Sequence, residues 1–240
     1  MKLFTDHGIN FVPHFAPLHY LPFITRAKSL KSKPALACGG FLNSHFRSKS
    51  KKRDVDRGFG EYAFLTLSQN PRIVIAKLKG GFPHIAIHAP VHAFQDVQFD
   101  LCRYNVAMAR RKPTSPQGGF PESETNGRYY DGKTLPIART EADKEHLLKK
   151  HYPAGTMIEV LVCDQLPLPE DTKVICYAPE DLAIAQRVGD ALGSAWQVRL
   201  SATPGIYNRN PEHVQAVEEF IQLALDDPLW RGNGIEFDNV

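Results

Sequence analysis
Short runs of strand-forming residues, interrupted irregularly by helical segments, constrain this chain more than any other feature. Residues 61–68 (EYAFLTLS), 72–78 (RIVIAKL) and 84–88 (HIAIH) read as strands, with Gly80, Gly81 and Pro83 marking a turn. Three more strands are expected through GTMIEVLVCD at 155–164, TKVICY at 172–177 and WQVRL at 196–200. A helix is expected from Glu141 to Lys150, stopped by Pro153 and Gly155. Another spans 180–192, where Leu182, Ala185, Val188 and Leu192 recur at helical spacing. A last helix covers about 211–226, with Asn210 as its cap and Pro211 at its first position. Strands and helices do not alternate regularly, so the expected class is α+β rather than a parallel βαβ sheet. The 240 residues suit a single domain over 1–240.

Within GTMIEVLVCD a glutamate interrupts an apolar run. Strand alternation puts Met157, Glu159 and Leu161 on one face and Ile158, Val160 and Val162 on the other. A carboxylate among such neighbours costs desolvation energy unless something pairs with it. Two readings follow: an edge strand whose Glu159 faces water, or a carboxylate held there for chemistry.

Charge is distributed unevenly. The chain carries +3 overall, but Arg26 to Arg57 holds ten Lys or Arg against Asp54 and Asp56, a local +8. Such a segment is either a solvated loop or a polyanion-binding surface. The 42% hydrophobic content rules against disorder throughout, and no apolar run approaches the ~18 residues of a membrane span. No signal peptide is expected from the N-terminal residues. Cys38, Cys102, Cys163 and Cys176 form no C-x-x-C pair, so free thiols and a cytoplasmic location are expected.

Familiar motifs are absent. The sequence has no G-x-G-x-x-G, no G-x-x-x-x-G-K-[ST] and no G-x-S-x-G. His84, His88 and His92 recur every four residues, but Pro90 interrupts any helix there and HIAIH reads as strand. Ordinary histidines are expected rather than a metal site. Residues 110–127 (RRKPTSPQGGFPESETNG) have loop composition.

Four segments carry a likeness when taken together. His14, Phe15 and Ala16 are followed by Leu21 and Ile24. The stretch RSKSKKRDVDRGFGEYAFLTLSQNPR runs from basic residues through Tyr62 to Pro71-Arg72. FDLCRYNVAMA occupies 99–109, and TMIEVLVCDQLPLPEDTKVICYAPEDLAIAQRVGDAL presents Glu159 ahead of a turn, a strand and a helix. This pattern resembles the DarT family of nucleic-acid ADP-ribosyltransferases, toxins of toxin–antitoxin and phage-defence loci. The likeness runs from about His14 to Tyr207, with the helix at 210–227 as an addition. Ala16 stands where the family has Thr, and YAFLTL replaces a YVPFYF-like strand.

The resemblance implies an ADP-ribosyltransferase-like fold, with a split mixed and antiparallel sheet core and flanking helices. It implies NAD as co-substrate, no metal, and a base of single-stranded DNA as acceptor, with RNA as the alternative and an antitoxin protein as a possible partner. Glu159 falls on the family's catalytic glutamate, and Arg47 and Arg53 are candidates beside it. His14, Phe15, Ala16 and Tyr62 are candidates for NAD. Lys49, Lys51 and Lys52 are candidates for phosphate contacts, and Tyr129 and Tyr130 for stacking on a base. Breaking the nicotinamide–ribose bond develops an oxocarbenium-like charge that a placed carboxylate stabilises, as in glycoside hydrolysis. A non-catalytic nucleic-acid-binding module and a metal-dependent nuclease built on the three histidines are the rival classes.

Overall fold
The structure is a computed structural model that describes residues 2–38, 58–67, 81–104, 106, 110–111, 129–130, 135–154, 156–202 and 210–230. At 110–111 and 129–130 the description is of the backbone alone. The helices in chain order are α1 (Lys2–Thr5), α2 (Leu21–Ala27), α3 (Lys33–Cys38), α4 (Glu141–His151), α5 (Pro179–Ala191) and α6 (Pro211–Asp226). The strands begin with β1 (Phe11–Pro17), β2 (Ser29–Lys31), β3 (Tyr62–Thr66), β4 (His84–Pro90) and β5 (Phe99–Cys102). They continue with β6 (Arg110–Arg111), β7 (Tyr129–Tyr130), β8 (Glu159–Cys163), β9 (Gln165–Pro167), β10 (Lys173–Cys176) and β11 (Gln197–Leu200).

Two larger sheets form the body of the fold. One has the order β1-β4-β10-β11, antiparallel except for the parallel β10–β11 pair. The other has the order β3-β8-β5 and is antiparallel throughout. A two-stranded ribbon joins β2 to β9, and β6 pairs with β7 in parallel. Val12, Ile85, Ile87 and Val174 from the first sheet share one core with Leu65, Leu101, Val160 and Val162 from the second. Helical residues Leu148, Ile184, Ala185, Val188, Val217 and Ile221 complete it. This mixed, split arrangement with flanking helices is the expected α+β architecture.

Strand β1 is absent from the sequence-based expectations, because Pro13 and Pro17 argue against a strand. Its position supplies the reason it forms. β1 is the edge of its sheet. Its bonds to the β4 side fall at even-numbered positions, as the flanking Leu18 N–H to Pro83 carbonyl (2.9 Å) and Val91 N–H to Asn10 carbonyl (3.1 Å) bonds mark. Pro13 and Pro17 therefore fall on the outward row, where no ladder donor is required. The expected strand at 72–78 lies outside the described residues.

The helices begin and end as their sequences dictate. Thr140 caps α4 by accepting from the Asp143 N–H at 3.1 Å, and Lys149 and Lys150 occupy the last turn, where cations favour the helix dipole. Asn210 caps α6 by accepting from the Glu212 N–H at 3.0 Å, with Pro211 in the first turn. Helix α6 buries Val217, Phe220, Ile221 and Ala224. Among the described residues, no helix is long and apolar enough to cross a membrane.

Candidate active site
Glu159 opens β8, and β8 is the central strand of its sheet, so the edge-strand reading of this glutamate is set aside. Its register partners are Thr66 on β3 and Cys102 on β5. Directly opposed residues of antiparallel strands project to the same face. Thr66, Glu159 and Cys102 therefore form one cross-strand row. The next row on that face is Phe64, Leu161 and Asp100. Val160 and Val162 point the other way, into the main core. The alternation read from MIEVLV is thus the one that the strand adopts.

The Glu159 face is covered by a second apolar cluster made of Phe59, Cys102, Val106 and Leu161, with Tyr62, Phe64, Tyr104, Leu135 and Ile137 packed against it. A half-buried carboxylate in these surroundings needs a donor. The backbone N–H of Val106 supplies one, donating to Glu159 Oε2 at 2.8 Å. Beside it, burial pushes the Cys102 thiol up to about 12, a shift reinforced by the charge of Glu159 and opposed by the Tyr104 N–H. Cys102 is therefore a neutral thiol at physiological pH. Its S–H reaches the Pro136 carbonyl at 3.7 Å.

His14 lies on the core-facing row of β1, opposite Ile87 of β4. Its Nδ1 is 2.7 Å from the Phe64 carbonyl oxygen. A carbonyl only accepts, so Nδ1 carries the proton and, in the neutral ring, Nε2 is the acceptor. This contact links the two sheets, two residues along β3 from Thr66, the partner of Glu159. An imidazole acceptor suits a ribose hydroxyl donor, so the residue fits a nucleotide ribose chemically. Ala16 is buried on the same side of β1 as His14, whereas Phe15 projects to the opposite face and stacks on Tyr177, with ring centroids 6.4 Å apart.

Tyr62 stands at the other end of β3, opposite Cys163. At roughly 3.3 Å per residue, that row is about 13 Å from the Thr66–Glu159 row. Tyr129 and Tyr130 form β7, in register with Arg110 and Arg111 of β6. Arg47, Arg53, Lys49, Lys51 and Lys52 lie outside the described residues. Arg26, at the start of the basic segment, serves the fold: its guanidinium donates to the Ala224 carbonyl in the last turn of α6 at 2.5 Å.

The three histidines of the 84–92 series go to separate partners. His84 Nδ1 donates to the Phe82 carbonyl at 2.9 Å, and His92 Nε2 lies 3.3 Å from Asp171. His88 is lowered to about 4, first by burial and then by the Lys173 ammonium. Among the described residues, no group of three or more His, Cys, Asp or Glu could hold a metal ion.

The contribution of Val106 was missed in the sequence. It is a backbone donor, so no side-chain chemistry announces it. The only available signal was its position in FDLCRYNVAMA, shortly after the strand that pairs with Glu159.

No protein-family model matches the sequence, and no curated protein matches it. Among solved structures, the chain is similar to DarT of Thermus sp. 2.9 in complex with NAD+, with a TM-score of 0.50 and 11% identity, over 80% of this chain and 95% of that one. It is also similar to the same Thermus protein in complex with ADP-ribosylated ssDNA, with a TM-score of 0.49 and 11% identity over 79% and 94% of the two chains. The complex with carba-NAD+ gives a TM-score of 0.48 and 12% identity over 80% and 94%. The chain has the ADP-ribosyltransferase-like α+β fold of the Thermus DarT, the fold expected from the segments around His14 and Glu159.

Proposed function
We propose that this protein transfers ADP-ribose from NAD to a base of single-stranded DNA. The observation that carries the reading is Glu159: a half-buried carboxylate on the central strand of a sheet, oriented by the Val106 N–H. A fixed negative charge in a partly desolvated site stabilises positive charge developing on the NAD ribose as the nicotinamide bond breaks. His14, tied to the strand next to β8, would accept a hydrogen bond from the same nucleotide. The shared fold with a protein solved in complex with NAD+ agrees with this use of the two residues.

The acceptor assignment draws on different residues. Phosphate contacts give affinity, and a single-stranded or extruded base gives access to the reacting atom. Lys49, Lys51 and Lys52 in the +8 segment supply the first, with Arg47 and Arg53 beside them to hold NAD phosphate or acceptor. Tyr129 and Tyr130, in the connection ahead of Glu159, supply a stacking surface. The likeness to DarT extends the reading to a cytoplasmic toxin with a protein antitoxin.

The test is incubation of the protein with NAD and mixed single-stranded oligonucleotides, followed by intact mass measurement. The expected result is a mass gain of one ADP-ribose on DNA with release of nicotinamide. Modification of RNA but not DNA would change the acceptor, and no modification of either would contradict the reading.

A further inference from the structure
Cys102 ends β5 directly opposite Glu159, which opens β8. Opposed residues of antiparallel strands hold their Cβ atoms about 4.5–5.5 Å apart on one face, so this thiol is a nearest side-chain neighbour of the carboxylate. The influence of the Glu159 charge on the thiol reports the same proximity. Cys102 is fully buried, and a buried cysteine is most often a small apolar filler. Its polar contacts set it apart from a filler.

The sulfur joins two pieces of chain. It accepts from the Tyr104 N–H at 3.4 Å, and its S–H donates to the Pro136 carbonyl at 3.7 Å. The first contact spans two residues and folds the chain back immediately after β5, as serine and threonine hydroxyls do in short turns. Two residues beyond Tyr104 stands Val106, whose N–H donates to Glu159 Oε2 at 2.8 Å. The second contact fixes this turn against the returning chain, which is joined to β5 by both bonds of the Leu101–Ala138 bridge, at 3.0 and 2.8 Å. Burial keeps the thiol protonated, so it retains the proton that the Pro136 carbonyl accepts.

The consequence is geometric. Cys102, Val106 and Leu161 are buried in one apolar cluster, and that packing sets how closely the segment approaches the sheet. It does not set the direction in which the Val106 N–H points. Direction comes from the hydrogen bonds along the segment, and a hydrogen bond weakens steeply once its angle falls below about 120°. Sulfur is a weak donor and a weak acceptor, so the two contacts add little to stability. Their kinetic effect is larger, because misplacing a reacting group by about 1 Å costs up to about 100-fold in rate.

We propose that Cys102 is a positioning residue for Glu159: its thiol bridges Tyr104 and Pro136 and thereby aims the Val106 N–H at the carboxylate. This rests on the assignment of Glu159 to ADP-ribose transfer in the proposed function.

Three substitutions separate bridging from filling. Cys102→Ser keeps a donor and an acceptor, Cys102→Ala removes both, and Cys102→Val fills the space without either bond. Transfer of ADP-ribose to a single-stranded oligonucleotide gives kcat and the KM for NAD in each folded variant, and hydrogen exchange followed by NMR reads the Val106 amide directly. Cys102→Ala and Cys102→Val are expected to lower kcat about tenfold or more at unchanged KM. Their Val106 amide is expected to exchange about tenfold faster. Cys102→Ser is expected to keep both kcat and amide protection near the wild-type values. Wild-type kcat in Cys102→Val overturns the proposal, since filling is then the role. So does a loss in Cys102→Ser as large as that in Cys102→Ala. If Cys102→Val does not fold, the contrast between Cys102→Ser and Cys102→Ala decides alone. If the wild type transfers nothing, the transferase reading falls and the Val106 exchange decides: faster exchange in Cys102→Ala but not in Cys102→Ser keeps the positioning role, and equal exchange in the two overturns it.

Discussion

The backbone N–H of Val106 donates to Glu159 Oε2 at 2.8 Å, so the segment after β5 holds the carboxylate at the head of β8. Val106 is itself fully buried beside Leu161 and Cys102. The apolar cluster that desolvates Glu159 thereby also delivers the donor that offsets the cost. Orientation of the carboxylate and packing of this segment are one structural unit, which ties the chemistry to the chain between β5 and β8.

His14 joins the two sheets through its Nδ1–H and the Phe64 carbonyl. His14→Ala removes that donor and is expected to cost about 1–3 kcal/mol of stability, because a part-buried carbonyl loses its partner. The same variant is expected to bind NAD more weakly. Calorimetric titration of the folded variant checks this, and wild-type affinity would remove His14 from the nucleotide site.

Phe220 anchors α6 to the rest of the molecule. Fully buried, it packs edge-on against Phe23 at 6.0 Å, Trp230 at 4.7 Å and His19 at 4.9 Å between ring centroids. Phe220→Ala is expected to cost roughly 3–5 kcal/mol. For a chain of this size that corresponds to a fall in Tm on the order of 10 °C. A thermal scan measures it, and a shift of only a degree or two would show α6 to be a loosely held appendage.

His88 makes stability pH-dependent. Its folded value is lowered from 6.5 to about 4 by burial and by Lys173. Between those values the unfolded chain binds the proton and the folded one does not, so stability falls as pH drops from about 6.5 to about 4. The full effect is on the order of 3 kcal/mol. Urea unfolding at pH 7 and pH 4.5 should show it, and His88→Phe should flatten that difference.

Much of this molecule was legible in the sequence where side-chain pattern and backbone role coincide. Alternation in MIEVLV placed Glu159 opposite in face to Val160, and Asn210-Pro211 marked the start of α6. Strand β1 was not legible, since Pro13 and Pro17 forbid a central strand and only the tertiary position makes them harmless on an edge. The ribbon of β2 with β9 was also missed: SLK and QLP are too short to carry a period. At the site, Glu159 and His14 stand out by residue type, whereas Val106 acts through its backbone and leaves no trace in composition.

The basic segment provides a separate test of acceptor binding. Reversing Lys49, Lys51 and Lys52 to Glu removes three positive charges and adds three negative ones. Affinity is expected to fall for all single-stranded sequences alike, with a shallower dependence on salt, as a loss of counterion release requires. Anisotropy titrations at several salt concentrations measure both quantities. An unchanged slope would assign these lysines to solvent.

The most direct test of the central claim is ADP-ribose transfer by Glu159→Gln. Glutamine keeps the size of the side chain and an oxygen for the Val106 N–H, but removes the negative charge. Transfer to a single-stranded oligonucleotide is measured by intact mass over time, with NAD binding and Tm determined in parallel. The expected result is a fall in transfer rate of about 100-fold or more, with NAD binding and folding retained. Transfer at a near wild-type rate by the folded variant would contradict the assignment of Glu159 to the chemical step.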